Sequence, residues 1–238
     1  MRSILLFLFS HRLLAIARWD LHLLALRVRN ALTDQPRRIR AFLATRQRPT
    51  FLNLGSGPRG SEDPRWVNVD GFHDRNVHFL IDFNRRLPFP SATFDGVFSE
   101  HVLEHFSLED GELLAREVHR VLRPGGCFRV VLPDAALLMR RYFEAPSELV
   151  AQRNGPPGTT PIEAVNLYFR QRYEHQFLYD WETLDRMLAR AGFVTRVRLA
   201  VGEARFSQDI VLDDEKYAWE SLYAEAVKGA TGLDAAIA

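Results

Sequence analysis

The period of the apolar positions changes near residue 50. From Ile4 to Leu32 the stretch ILLFLFSHRLLAIARWDLHLLALRVRNAL is apolar on most helical faces, while His11, Arg18, His22 and Arg29 fall at steps of seven, four and seven. Those steps stack along one stripe and predict a helix with a narrow basic face. From Thr50 onward, short apolar runs rich in β-branched and aromatic residues take over: TFLNL (Thr50–Leu54), WVNVD (Trp66–Asp70), VHFLI (Val77–Ile81), FDGVFS (Phe94–Ser99) and CFRVVL (Cys127–Leu132). Each has strand length. FVTRVRLA (Phe193–Ala200) and FSQDIVLD (Phe206–Asp213) are expected to add two late strands.

Helical stretches separate these runs. SLEDGELLAREVHRVLRPGG opens on Ser107, three residues before Asp110, carries Leu113, Leu114, Val118, Val121 and Leu122 at helical spacing, and stops at Pro124, Gly125 and Gly126. DWETLDRMLARAG (Asp180–Gly192) is an amphipathic helix ending on glycine. Strands alternating with helices specify an α/β fold, a doubly wound, mostly parallel seven-stranded sheet. The chain divides into a basic helical N-terminal extension (1–49), a Rossmann-like domain (50–213) with a long excursion over 134–180, and a C-terminal helix and tail (214–238).

Charge sharpens that division. The net charge is +1, but the first fifty residues hold ten Arg against two Asp, so they carry +8 and leave −7 for the remainder. Such a segment attracts anionic lipid, nucleic acid or an acidic protein face. His11, Arg12, Arg18 and Asp20 interrupt it too often for a membrane span, which needs roughly 20 apolar residues. Two readings of residues 4–32 remain: a helix packed on the domain behind it, or a peripheral membrane contact from the cytoplasmic side. A nucleic-acid partner is disfavoured because the core is acidic and lacks interleaved aromatic and basic residues. A single cysteine, Cys127, excludes an internal disulfide and fits a cytoplasmic protein.

The candidate chemistry lies at the strand exits. LNLGSGPRG places Gly55, Gly57 and Gly60 after the first strand, a literal G-x-G-x-x-G. Pro58 and Pro64 leave little room for a pyrophosphate-binding helix, and Asp70 comes thirteen residues after Gly57 against the roughly 20 of a dinucleotide fold. What remains is a glycine turn that a ligand can approach, and a carboxylate able to accept both hydrogen bonds of a ribose diol. HVLEH (His101–His105) spells an inverted zinc-protease motif. A zinc reading needs a third ligand, and the spacing singles out none of Glu148, Glu174 and His175, so no metal is expected.

In order along the chain, LNLGSGP, WVNVD, LIDFN, LPFPSATFDGVFSEHVLEH, VLRPGG and MLARAGF resemble the class I S-adenosylmethionine-dependent methyltransferases, in particular the small type-11-like group. The resemblance spans about Thr50 to Leu199. It implies S-adenosylmethionine as cofactor, held by Asn53, Gly55, Ser56, Gly57, Asp70, Asp82, Phe83, Ser99 and Glu100. In that arrangement Asp82 bonds the adenine amino group, Phe83 lies beside the ring, and Arg59 is a candidate for the cofactor's carboxylate. His101, facing the cofactor, and His175 are the candidate bases for methylation of an oxygen on a small-molecule, glycan or lipid-linked acceptor. Asp134 and Asp180 are each either site-facing or helix caps. The competing readings are a nicotinamide-dependent oxidoreductase and a non-catalytic, membrane-associated scaffold. The residues do not specify an oligomeric state.

Overall fold

The computed structural model describes residues 11–153, 156–171 and 174–230. β1 (Phe51–Leu54) pairs in parallel with β2 (Trp66–Asp70) on one side and β4 (Phe94–Glu100) on the other. With β3 (Phe79–Leu80), β5 (Leu122–Pro133), β6 (Phe193–Leu199) and β7 (Ser221–Lys228), the sheet runs β3-β2-β1-β4-β5-β7-β6. Only β7 runs antiparallel to its neighbours β5 and β6. The predicted mostly parallel seven-stranded sheet is therefore present, with its switch point between β1 and β4.

Two strand assignments change. FSQDIVLD is not a strand: it holds a single 3₁₀ turn, Gln208–Ile210, whose Ile210 side chain lies against the sheet at Gly96. The seventh strand is β7, in the region expected to be a C-terminal helix, and the domain accordingly runs past residue 213. Leu222, Ala224 and Ala226 of β7 face one core, while Tyr223 and Val227 face the other. β7 is stable as a strand because it lies between two neighbours that satisfy its backbone on both sides.

One face of the sheet is built from Leu52, Leu54, Val67, Val69, Val97 and Val130. Against it pack α3 (Leu108–Val121), α7 (Trp181–Arg190) and Ile39 of α2 (Gln35–Ala44). Ser107 caps α3 by accepting the Asp110 N–H at 3.1 Å. The opposite face, with Phe51, Trp66, Phe98, Cys127 and Val131, is covered by Val201, Ile210 and Leu212 of the segment between β6 and β7. Burial pushes the Cys127 thiol up, so it is an inert core group. The excursion after β5 folds into α4 (Ala135–Glu144), α5 (Pro146–Gln152) and α6 (Pro161–Arg170), which bury Leu138, Leu149, Val165 and Tyr168 among themselves.

The basic N-terminal segment includes α1 (His11–Leu32); residues 4–10 of the predicted helix lie outside the described residues. It packs on the domain, as the first of the two sequence readings has it. His22 Nε2 lies 2.8 Å from the Gly71 carbonyl and its ring stacks on Phe72, while Arg27 Nε donates to Asp82 at 2.6 Å. The proposed basic stripe is therefore broken, since His22 turns inward. The outer face remains apolar, with Leu21, Leu24, Val28 and Leu32 exposed. No helix among the described residues is long and apolar enough to cross a membrane.

Candidate functional site

The carboxyl ends of β1, β2 and β4 meet at the glycine turn. Gly55 takes φ +75°, and a Cβ there would overlap Val102. Only glycine lets the β1 exit and the β4 exit come this close. Gly57, at φ +49°, opens onto free space, with nothing within 4 Å of where a Cβ would stand. Its N–H donates to Asp70 Oδ2 at 2.9 Å, and the Phe72 N–H donates to Asp70 Oδ1 at 2.8 Å. Each Asp70 oxygen is thus held by one backbone donor and keeps a further lone pair for a ligand hydroxyl. After Gly57 the chain forms only a 3₁₀ turn, Gly57–Arg59, so no α-helix amino terminus faces the turn.

Other predicted cofactor residues occupy different surroundings. Asn53 is buried inside β1, in register with Asn68 and Phe98, rather than at the strand exit. Ser56 and Ser99 are buried, with side-chain hydroxyls that have no partner among the described residues. Asp82 does not present a free carboxylate for an adenine. Its Oδ2 accepts from Arg27 and its Oδ1 from the Asn84 backbone and side chain, because the helix α1, outside the resemblance, brings a guanidinium to it. Phe83 is half-buried against the main core. Glu100 is tied as well: it pairs with Arg59 and accepts the Asp214 N–H at 3.1 Å. Arg59, the candidate for a cofactor carboxylate, also bonds Asp214 at 3.1 Å and lies over the Tyr217 ring.

His101 ends β4 in a left-handed conformation, φ +54°, while its N–H still donates to Val131 of β5. Non-glycine residues enter this region at a cost, and such strain gathers at functional sites. The His101 Nδ1 lies 3.0 Å from Glu104 Oε1, its Nε2 lies 3.3 Å from Ser221 Oγ and 4.0 Å from Glu220, and Tyr217 packs on its face. The antiparallel β7 begins beside the end of β5, which delivers Glu220 and Ser221 to this point. Burial pushes the His101 pKa down, but the hydrogen bond to Glu104 and the charges of Glu104, Glu220 and Glu100 outweigh it and leave it above the ordinary histidine value.

Glu104 has no exposed surface. Burial raises its pKa, yet the bond to His101 and the nearby His101, His105 and His175 rings prevail and hold it below the usual carboxylate range. His175, expected in a polar cluster near the acceptor, is buried beside Glu104: the Gln176 and Phe177 N–H groups both donate to the Glu104 carbonyl. Burial, the largest cause, holds its pKa below the ordinary histidine value. Asp180 is a helix cap, accepting from Thr183 at 2.9 Å. Asp134 caps α4 through Leu137 and pairs with Arg198 at 2.8 Å.

Sequence reasoning missed Tyr217, Glu220 and Ser221, which a helix assignment for 214–238 removes from consideration. It also missed Tyr168, whose hydroxyl donates to Glu220 at 2.6 Å.

A family model described as a methyltransferase domain matches residues 68–130. That segment contains Asp70, Asp82, Ser99, Glu100, His101, Glu104 and His105. No curated protein matches the chain. Among solved structures, an S-adenosylmethionine-dependent methyltransferase of Thermotoga maritima is 14% identical, with 78% of this chain and 84% of that chain covered and a TM-score of 0.47. Phosphoethanolamine N-methyltransferase 2 of Haemonchus contortus, in complex with phosphomonomethylethanolamine and S-adenosylhomocysteine, is 15% identical over 82% of this chain and 52% of that one, at a TM-score of 0.49. The YcgJ protein of Bacillus is 15% identical over 77% and 93%, at 0.45. Residues 68–130 thus match a methyltransferase domain, and they lie within the doubly wound sheet that the sequence predicted.

Proposed function

We propose that the protein transfers a methyl group from S-adenosylmethionine to an oxygen of a small-molecule, glycan or lipid-linked acceptor, with His101 as the proton acceptor. The observation that carries the cofactor assignment is the pairing of Gly57 with Asp70: an open glycine turn faces a carboxylate with lone pairs to spare. The residues fit the cofactor. Asp70 would hold the ribose hydroxyls, the space over Gly57 lets the ligand approach the protein backbone, and the Ser56 and Ser99 hydroxyls are buried donors without a partner among the described residues. The absence of a helix after Gly57 disfavours a pyrophosphate, and with it the nicotinamide reading.

When bound, the sulfonium supplies an electrophilic methyl group with a good leaving group. The protein's task is then to align the acceptor, exclude water and take a proton. A Glu104 carboxylate can only accept, so in the neutral ring that serves as base the hydrogen sits on Nδ1 and the lone pair on Nε2, facing Ser221 and Glu220. An acceptor hydroxyl lying between Ser221 and the glycine turn would give its proton to that nitrogen. The Tyr217 ring stands beside the His101 ring, tilted, with centroids 4.4 Å apart.

The apolar outer face of α1, flanked by Arg18 and Arg29, supports a contact with an anionic membrane surface at its cytoplasmic side. The acceptor assignment is tested by incubating the protein with S-adenosylmethionine and panels of hydroxyl and amine acceptors, in parallel with His101→Gln. Methyl incorporation into hydroxyl compounds that the variant loses supports the reading. Amine-only methylation, unchanged in the variant, refutes both the oxygen acceptor and the base.

A further inference from the structure

Glu104, His105 and His175 each bring one potential ligand atom to within 4.8 Å of the other two. We infer that these three side chains form a binding site for a divalent transition metal of the zinc class, next to His101 and distinct from the cofactor pocket. Three observations carry this.

The first is the state of the rings. His105 Nδ1 lies 3.2 Å from the Glu174 carbonyl, and His175 Nδ1 lies 2.5 Å from the Tyr168 carbonyl. A carbonyl oxygen can only accept, so both Nδ1 atoms carry hydrogen and both lone pairs lie on Nε2. This is how metal-ligating histidines are held: the far nitrogen is anchored on a backbone oxygen, which fixes tautomer and ring direction. The two rings meet edge to face with centroids 5.0 Å apart.

The second is the orphan oxygen of Glu104. Its Oε1 is satisfied by His101, but its Oε2 is buried and has no hydrogen-bond partner among the described residues. The cluster thus holds a buried carboxylate oxygen with no hydrogen-bond donor among the described residues. Such a group is costly unless a cation joins it.

The third is that the backbone holds the site in place. Gln176 and Phe177 donate to the Glu104 carbonyl, and the Gln176 side chain donates to the His105 carbonyl at 2.7 Å. Residues far apart in sequence are fastened together independently of any ion. The ligand atoms need to close only to the ~3.4 Å separation of a tetrahedral zinc shell. Two histidines and one glutamate leave a fourth position open, and half-buried His105 gives access from solvent. The motif HVLEH is thus divided differently from a zinc protease: Glu104 is a ligand, and His101 stands behind it on the same carboxylate.

The test is titration of the chelator-treated full chain with zinc chloride in competition with a chromophoric chelator, for the unmodified protein, Glu104→Gln, His175→Ala and His73→Ala, an exposed histidine elsewhere. Cobalt(II) absorption of the unmodified protein is recorded beside it. The site predicts one equivalent of metal, affinity lower by about tenfold or more in the first two variants and unchanged in the third, and visible bands of four-coordinate cobalt. The inference is overturned if the unmodified protein takes up no stoichiometric metal and shows no such bands, or if folded Glu104→Gln and His175→Ala both bind as it does. None of these readouts requires methyl transfer, so they stand or fall separately from the proposed activity.

Discussion

Nδ1 of His101 lies 3.0 Å from Oε1 of Glu104, a carboxylate with no exposed surface. The contact spans three residues and joins the end of β4 to the short 3₁₀ turn that follows it. In the proposed reaction Glu104 would act through His101, as a positioning residue. Replacing it by Gln keeps the shape but removes the charge and lets an amide N–H face Nδ1, which favours the wrong tautomer. We expect kcat to fall on the order of 100-fold while S-adenosylhomocysteine affinity stays within about twofold. Steady-state kinetics and calorimetry on the same preparation check this; equal losses in both would mark a folding defect instead.

Gly55 and Gly57 have opposite reasons to be glycine, so alanine at each is expected to fail differently. Gly55→Ala drives a methyl group into Val102 and is predicted to cost roughly 1–3 kcal/mol of stability. Gly57→Ala meets no protein atom and loses only about 1 kcal/mol to its positive φ, but its methyl enters the proposed cofactor space. Urea unfolding separates the two by stability, and ligand titration should show the larger binding loss for Gly57→Ala.

Arg27 and Asp82 fasten α1 to the loop after β3, with Asn30 and Gln35 donating to the Leu80 carbonyl alongside. Arg27→Ala is expected to lower the opening free energy of α1 by roughly 1 kcal/mol, a value kept small because Arg27 is partly solvent-exposed. Hydrogen exchange should quicken across residues 18–32 and stay unchanged in β1, β4 and β5.

Arg129 is fully buried in β5, bonding Asp213 and lying 3.5 Å from Glu225 of β7, and it donates to the Glu203 carbonyl at 2.6 Å. It therefore holds the β6–β7 crossing segment against the sheet. Arg129→Met would leave two buried carboxylates without their cation and should cost roughly 3–5 kcal/mol by urea unfolding.

These contacts also explain what the sequence could and could not reveal. Alternating apolar runs made β1, β2, β4 and β6 readable, and Ser107 with the Pro124–Gly126 stop made α3 readable, because period and capping are local properties. β7 was hidden because SLYAEAVK carries two alanines and Glu225, weak strand formers whose burial depends on Arg129 in the neighbouring strand. FSQDIVLD looked like a strand because its apolar residues cover the sheet face from outside, with Ile210 on Gly96. At the site, Asp70 and the glycine turn were legible from spacing. The engagement of Asp82 by Arg27, of Glu100 by Arg59, and the meeting of His175 with Glu104 were not, since each joins segments distant in the chain.

The most direct test of the central claim is calorimetric titration with S-adenosylhomocysteine, comparing the unmodified protein with Asp70→Ala and using NADH as the competing ligand. One site for S-adenosylhomocysteine is expected, with affinity reduced about 100-fold in Asp70→Ala through loss of charge-assisted hydrogen bonds to the ribose, and no comparable binding of NADH. Binding of NADH in preference, or S-adenosylhomocysteine binding that Asp70→Ala leaves intact, would contradict it.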